Sequence, residues 1–232
     1  RNFLIGGVPG SGKSYAARTL AIAAALDPTC ELRIAELKGT ADFGDLAPLC
    51  SAYVCGVDDQ SIADAASIIA WGLAEAERRG ERIRRARERG EAPEGKVTPE
   101  LASRPGSGLH PVLILVDEAH ELFGHPDVGK DAAAAAERLI KRGRALGLIV
   151  VLATQIPDKN SLPPGITRCV NMRWCLAVQD QVANDMILGT GAYKRGLSAT
   201  HYRPGIDAGW GIITGLEEPT PVRSPSPHPD TT

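Results

Sequence analysis

Apolar residues fall along the chain in short unbroken runs rather than in strict alternation with polar ones. The runs are "NFLI" at residues 2–5, "LRIAEL" at 32–37, "AYVC" at 52–55, "VLILV" at 112–116, "LIVVLAT" at 148–154, "RWCLAV" at 173–178 and "GIIT" at 211–214. Such runs, bounded by turn residues, predict strands buried on both faces. Stretches with helical spacing at 14–26, 61–89 and 131–145 lie between them. Strand and helix in alternation predict an α/β fold, a mainly parallel sheet flanked by helices. Two segments break the rhythm. Residues 90–110, "GEAPEGKVTPELASRPGSGLH", predict a long surface loop, mobile or ordered by a partner. Residues 217–232, "EEPTPVRSPSPHPDTT", have almost nothing apolar to bury and predict a linker or tail, leaving a packed domain over 1–216.

The 232 residues suffice for one substantial domain. A net charge of -2 supplies no global basic field, so any contact with nucleic acid must come from a local patch. Five cysteines, an odd number without Cys-x-x-Cys spacing, suggest reduced buried thiols rather than a disulfide framework or a zinc site. No apolar run approaches the roughly 20 residues that span a bilayer. The chain opens without methionine directly on a core strand, so it is expected to be a cytoplasmic domain of a longer protein, whose other parts could carry a membrane anchor.

Candidate chemistry starts at "GVPGSGKS", which fits G-x-x-x-x-G-K-[ST] between a predicted strand and a predicted helix. In Gly7, Val8, Pro9, Gly10, Ser11, Gly12, Lys13 and Ser14, with Tyr15 following, backbone N–H groups can curl around a polyphosphate at the positive end of the helix. Lys13 can reach the β and γ phosphates of ATP, and the Ser14 hydroxyl can ligate Mg²⁺. The run "VLILVDE" ends in two acids, where the crevice of a parallel sheet opens. Asp117 is expected to hold Mg²⁺ and Glu118 to polarise an attacking water. The letters D-E-A-H at 117–120 also label a helicase class, but that class needs two nucleotide-binding folds and this chain holds one. His120 is expected to be an ordinary, partly exposed residue. Gln155, closing "VVLATQ", can touch the γ phosphate or the water, or be a satisfied strand-end amide.

Through these motifs and others the chain resembles the FtsK/SpoIIIE-type DNA translocases, and among them the TraB-type plasmid transfer proteins of actinobacteria. The likeness is carried by "GGVPGSGKS", "WGLAEAERRGERIR", "LILVDEAHELF", "RLIKRGRALGLIVVLATQIPD" and "NMRWCLAVQDQVANDMILG". It implies a RecA-like P-loop motor that forms a homo-hexameric ring, hydrolyses ATP at subunit interfaces and moves double-stranded DNA, in conjugation or in chromosome segregation at cell division. By matching position, Arg144 is implied to be an arginine finger acting in trans; a helix-terminal cation is the alternative. Arg173 is implied to be a sensor or interface group, or else one half of a salt bridge. The resemblance also admits a second reading, an FtsK-like ATPase of a type VII protein secretion system. A nucleotide-driven switch and a metabolite kinase fit less well.

Residues 78–89 carry seven arginines against two glutamates, and read either as a phosphate-binding face or as a solvated helix end. DNA contact is expected instead from the loop after Gln155, with Lys159 and Arg168. That loop could equally close a neighbour's nucleotide pocket.

Overall fold

The computed structural model describes residues 1–155 and 162–225. The apolar runs form β1 (Phe3–Gly6), β2 (Glu31–Glu36), β3 (Cys50–Cys55), β4 (Val112–Asp117), β5 (Leu148–Thr154), β6 (Met172–Leu176) and β7 (Trp210–Thr214). A further strand, β8 (Thr220–Arg223), joins them in one sheet of order β3-β2-β4-β5-β1-β6-β7-β8. From β3 to β6 every neighbouring pair is parallel; the β6–β7 and β7–β8 pairs are antiparallel.

Burial on both faces explains the unbroken runs. Every residue of β4 is buried. Leu113 and Leu115 enter the core beneath α1 (Lys13–Ala25), while Ile114 and Val116 enter the opposite core beneath α2 (Asp59–Glu88) and α5 (Gly129–Gly143). The residues α1 turns inward include Ala16, Ala17 and Ala21, whose small side chains let the helix lie close to the sheet. Asp58 caps α2 by accepting the Ser61 N–H at 3.0 Å. Inside α2, a Cβ at Gly72 would stand 2.6 Å from Ile114 Cδ1 and 2.8 Å from Leu139 Cδ2, so only glycine lets α2 press against β4 and α5. The remaining helices are α3 (Pro99–Ala102), α4 (Ala119–Gly124), α6 (Pro164–Cys169) and α7 (Gln181–Leu188).

Two expectations change. The segment 90–110 is packed rather than loose: Ala92, Leu101 and Leu109 are buried, and the Val97 N–H donates to the Ala145 carbonyl at 2.8 Å. Isolated apolar residues, without period, hid this in the sequence. The segment expected to be linker from 217 onward begins as structure, since β8 pairs along β7 and the Ser224 N–H donates to the Gly209 carbonyl at 2.9 Å. Pro221 is tolerated there because β8 is an edge strand.

Candidate active site

β1 lies between β5 and β6, and the loop leaving it is pinned on both sides. Gly7 N–H donates to the Thr154 carbonyl at 3.3 Å and Val8 N–H to the Ala177 carbonyl at 2.9 Å. Gly12 ends the loop at φ +90°, and a Cβ on it would lie 2.5 Å from the Gly209 nitrogen. Both the conformation and the contact require glycine. Helix α1 starts at Lys13, so the N–H groups of its first turn, which include those of Lys13, Ser14 and Tyr15, have no intrahelical acceptor and face the loop. A cavity of about 780 Å³ opens over them, bounded by Lys13, Tyr15, Arg18, Lys38, Asp42 and Gln155 among others.

The two acids at the end of β4 meet this loop. Lys13, buried, pairs with Asp117 Oδ1 and lies 3.0 Å from Glu118 Oε1. Ser14 Oγ stands 3.4 Å from Asp117 Oδ2. One ammonium between two carboxylates leaves the cluster with one net negative charge, a setting that suits a divalent cation. Among the described residues no group of three or more His, Cys, Asp or Glu could hold a metal by itself. Asp117 and Ser14 are hard oxygen donors, few in number, which fits Mg²⁺ held mainly by substrate phosphates and water. When bound, such an ion neutralises phosphate charge.

Glu118 adopts the left-handed conformation at φ 55°, which among the described non-glycine residues only Ala41 shares. For a non-glycine residue this costs about 1–3 kcal/mol, and such strain gathers at functional sites. It turns the carboxylate sideways across the end of β5. Gln155 meets it there, its side-chain amide donating to Oε1 and its backbone N–H to Oε2 at 3.3 Å. The strand-end amide is therefore satisfied by the acid itself. His120 is no bystander: Nδ1 lies 3.3 Å from Glu118 Oε2 and 3.3 Å from Thr154 Oγ1, while Nε2 lies 3.2 Å from Glu121 Oε1. The expected partial exposure of His120 holds, but the residue is not ordinary: the backbone turn at Glu118 starts α4 with the ring aimed back at that carboxylate.

Glu36 carries the same signal as Asp117, an acid closing a buried strand, and is its register partner on the neighbouring strand. Fully buried, it accepts N–H groups of Asp42 at 2.7 Å and Phe43 at 3.2 Å, and hydroxyls of Thr40 at 3.3 Å and Tyr53 at 3.1 Å. It shapes the loop that brings Lys38 and Asp42 to the cavity.

The other arginines expected to act are elsewhere. Arg144 is exposed in a 3-10 turn, Arg144–Leu146, just before β5, at the sheet edge opposite the P-loop. Seven residues of strand separate the two edges, roughly 20 Å at the usual rise. Arg168, also exposed, lines a recess with Arg144. Among the described residues Arg173 forms no salt bridge. It donates to the carbonyls of Thr167, Val170 (3.2 Å) and Ile187 (3.2 Å), capping α6 and α7, and burial pushes its pKa below the usual value. Lys159 lies outside the described residues. The arginine-rich end of α2 is mostly spent within the chain: Arg84 and Arg85 pair with Glu81, Arg84 with Glu88, and Arg82 donates to the carbonyls of Ser107 and Gly108.

One arginine of that helix points inward. Arg79 is fully buried, its Nε on Glu75 Oε1 at 2.7 Å and its Nη1 on the carbonyls of His110 (2.7 Å) and Leu146 (2.9 Å). Burial alone would raise the Glu75 pKa, but the Arg79 and Arg78 guanidinium groups outweigh it and hold the carboxyl below its usual range. Arg79 thereby fixes the turn that presents Arg144.

Fold and site together define a RecA-like P-loop fold. The same architecture is found in solved structures of low sequence identity. The conjugation coupling protein TcpA of pCW3, in monomer form with ATPγS, is 18% identical with a TM-score of 0.72 over 96% of this chain and 60% of its own. The cytoplasmic domain of the type VII secretion ATPase EccC from Thermomonospora curvata is 23% identical with a TM-score of 0.74, over 96% of this chain and 25% of its own. EssC (ATPases 2 and 3) from Geobacillus thermodenitrificans is 16% identical with a TM-score of 0.69, over 99% of this chain and 41% of its own. The fold is thus shared with these three proteins. The chain spans less than two thirds of the length of each of these proteins. No family model matches the chain, and no curated protein matches it.

Proposed function

We propose that this chain is the motor domain of an ATP-driven double-stranded DNA translocase, hydrolysing ATP at subunit interfaces of a homo-hexameric ring during DNA transfer. One observation carries the reading. The P-loop, Asp117 and Glu118 are gathered at one edge of the sheet, whereas Arg144 is exposed at the other, an arrangement that supports a site completed by a second copy of the chain. In that site the first turn of α1 and Lys13 bind the β and γ phosphates, Asp117 and Ser14 hold Mg²⁺, and Glu118 takes the proton of the attacking water. Gln155 and His120 set the direction in which the Glu118 carboxylate points. Positioning and charge neutralisation dominate phosphoryl transfer, and an arginine supplied in trans contributes about 10³–10⁵ in rate.

A ring motor must grip any sequence, so it holds backbone phosphates through sparse basic loops multiplied around the ring. Lys159 is the leading candidate for that contact. Among the described residues no helix is long and apolar enough to cross a membrane. A parent protein anchored at the inner face of the membrane would carry its anchor outside this domain. The likeness to EccC and EssC favours one competing reading, a motor of type VII protein secretion.

Turnover measured with and without duplex DNA, beside the oligomeric mass, tests the proposal. Stimulation by DNA of any sequence in an assembled ring is expected; unchanged turnover with normal ATP binding rejects DNA as the substrate. Glu118→Gln is expected to bind ATP at near wild-type affinity and to lose turnover, read by a fluorescent nucleotide titration and a phosphate-release assay.

A further inference from the structure

The structure assigns a partner to Arg144: we propose that Arg144 and Arg168 form a two-guanidinium clamp for the terminal phosphate of the nucleotide held by a second copy of this chain. The inference rests on the ATPase reading above and names a residue which that reading does not use in this way.

Arg144 and Arg168 come from different elements, the turn after α5 and the last turn of α6, yet they line one recess of about 340 Å³ with Asn2, Lys141 and Asn171. No acid lines it. Lys141 is neutralised by Glu137. Arg144 and Arg168 have no ion-pair or hydrogen-bond partner among the described residues, although most of the arginines near them in sequence or space are committed to one. Two uncompensated cations lining one recess repel, and the arrangement becomes favourable when an anion enters it. A phosphate suits it, because each planar guanidinium fork can take two phosphate oxygens.

The backbone on each side is held firmly. Arg79 grips the Leu146 carbonyl and Val97 the Ala145 carbonyl, which fixes the Arg144 turn. Arg173 holds the carbonyls of Thr167 and Val170 on either side of Arg168, and Ile166 is fully buried. Asn2 closes the floor, donating to the Ile140 carbonyl at 3.0 Å and accepting the Val150 N–H at 2.9 Å. A preorganised recess that takes one anion differs from the open row of cations that a duplex backbone needs. The chain's own P-loop is at the far edge of the sheet, so the anion must come from another copy.

Mixed-lesion turnover tests this with the full chain. Arg168→Ala keeps its own P-loop and lacks half the clamp; Lys13→Ala keeps both arginines and cannot hold nucleotide. Each alone is expected to lose turnover, Arg168→Ala by about 10²-fold, the size seen when one donor to developing charge is removed. Their mixture is expected to recover turnover well above either alone. Arg168→Lys, which keeps the charge but not the fork, should fall between wild type and Arg168→Ala, with an unchanged thermal midpoint. If Arg168→Ala keeps basal turnover and loses only stimulation by DNA, Arg168 is a DNA contact and the clamp is overturned. If Arg168→Ala is dead and not recovered, while Arg144→Ala is recovered by the same Lys13→Ala partner, the clamp is overturned and the ring ATPase stands. A wild-type chain that stays monomeric and never hydrolyses ATP overturns the proposed function and this inference together.

Discussion

Glu118 holds its place in the site at the expense of backbone comfort. Its φ of 55° suits glycine, and its buried carboxylate is surrounded by Lys13, Gln155 and His120. Glu118→Gly and Glu118→Ala both remove the carboxylate and differ in how easily the backbone takes that φ. We expect the glycine variant to be more stable than the alanine variant by about 1 kcal/mol in chemical denaturation, the ordinary left-handed penalty of a residue with a Cβ. Equal stabilities would mean that the turn is relaxed. At this scale the sequence was most legible where a motif fixes spacing: the P-loop residues and Asp117, Glu118 and Gln155 converge as read. It was least legible where one residue's φ decides another's surroundings. His120 looked like the start of a helix, and nothing in the letters D-E-A-H announces that Glu118 turns back and aims the imidazole at its own carboxylate.

Helix α2 shows how a charged element can conceal a buried one. Arg79 belongs to the stripe Gly72, Ala76, Arg79, Ile83 and Ala86, all buried, at the spacing of a core-facing helix. That period was present in the sequence, but six other arginines nearby masked it. Removing one partner of a buried ion pair costs about 3–5 kcal/mol. Arg79→Ala is therefore expected to lose stability on that scale and to lower turnover through the Arg144 turn. Nucleotide affinity, set at the other edge of the sheet, should hold at a temperature where the variant is folded. A matching loss of affinity would show a general collapse instead. The Glu75 carboxyl, held below its usual range, contributes stability that is complete above the unfolded value and lost as pH falls through the folded one. The stability gap between wild type and Glu75→Gln should accordingly narrow below about pH 4.3. Denaturant titrations at pH 6 and at about pH 3.5 check the sign.

Across the molecule, the sheet separates two jobs. The P-loop, Asp117 and Glu118 occupy the edge where the parallel strands end, and Arg144 and Arg168 lie toward the edge where they begin. The α/β class was readable because strands buried on both faces leave unbroken apolar runs. The last strand was not, because β8 is an edge strand of Thr, Pro, Val and Arg, and its composition matches a linker. A chain ending at residue 216 should lose about 2 kcal/mol relative to one ending at 225, a drop of roughly 4–8 °C in thermal midpoint for a domain of this size. Identical midpoints would return residues 217–225 to the role of linker.

The same edge strand makes a mechanical connection. The Ser224 N–H is bonded to the Gly209 carbonyl, and the Gly209 N–H to the carbonyl of Ser11, at 2.9 Å and 2.8 Å. Tension on the chain beyond Ser224 would therefore travel through two hydrogen bonds into the P-loop. A load on that side of the domain could loosen or tighten its grip on the nucleotide without any residue of the pocket being touched.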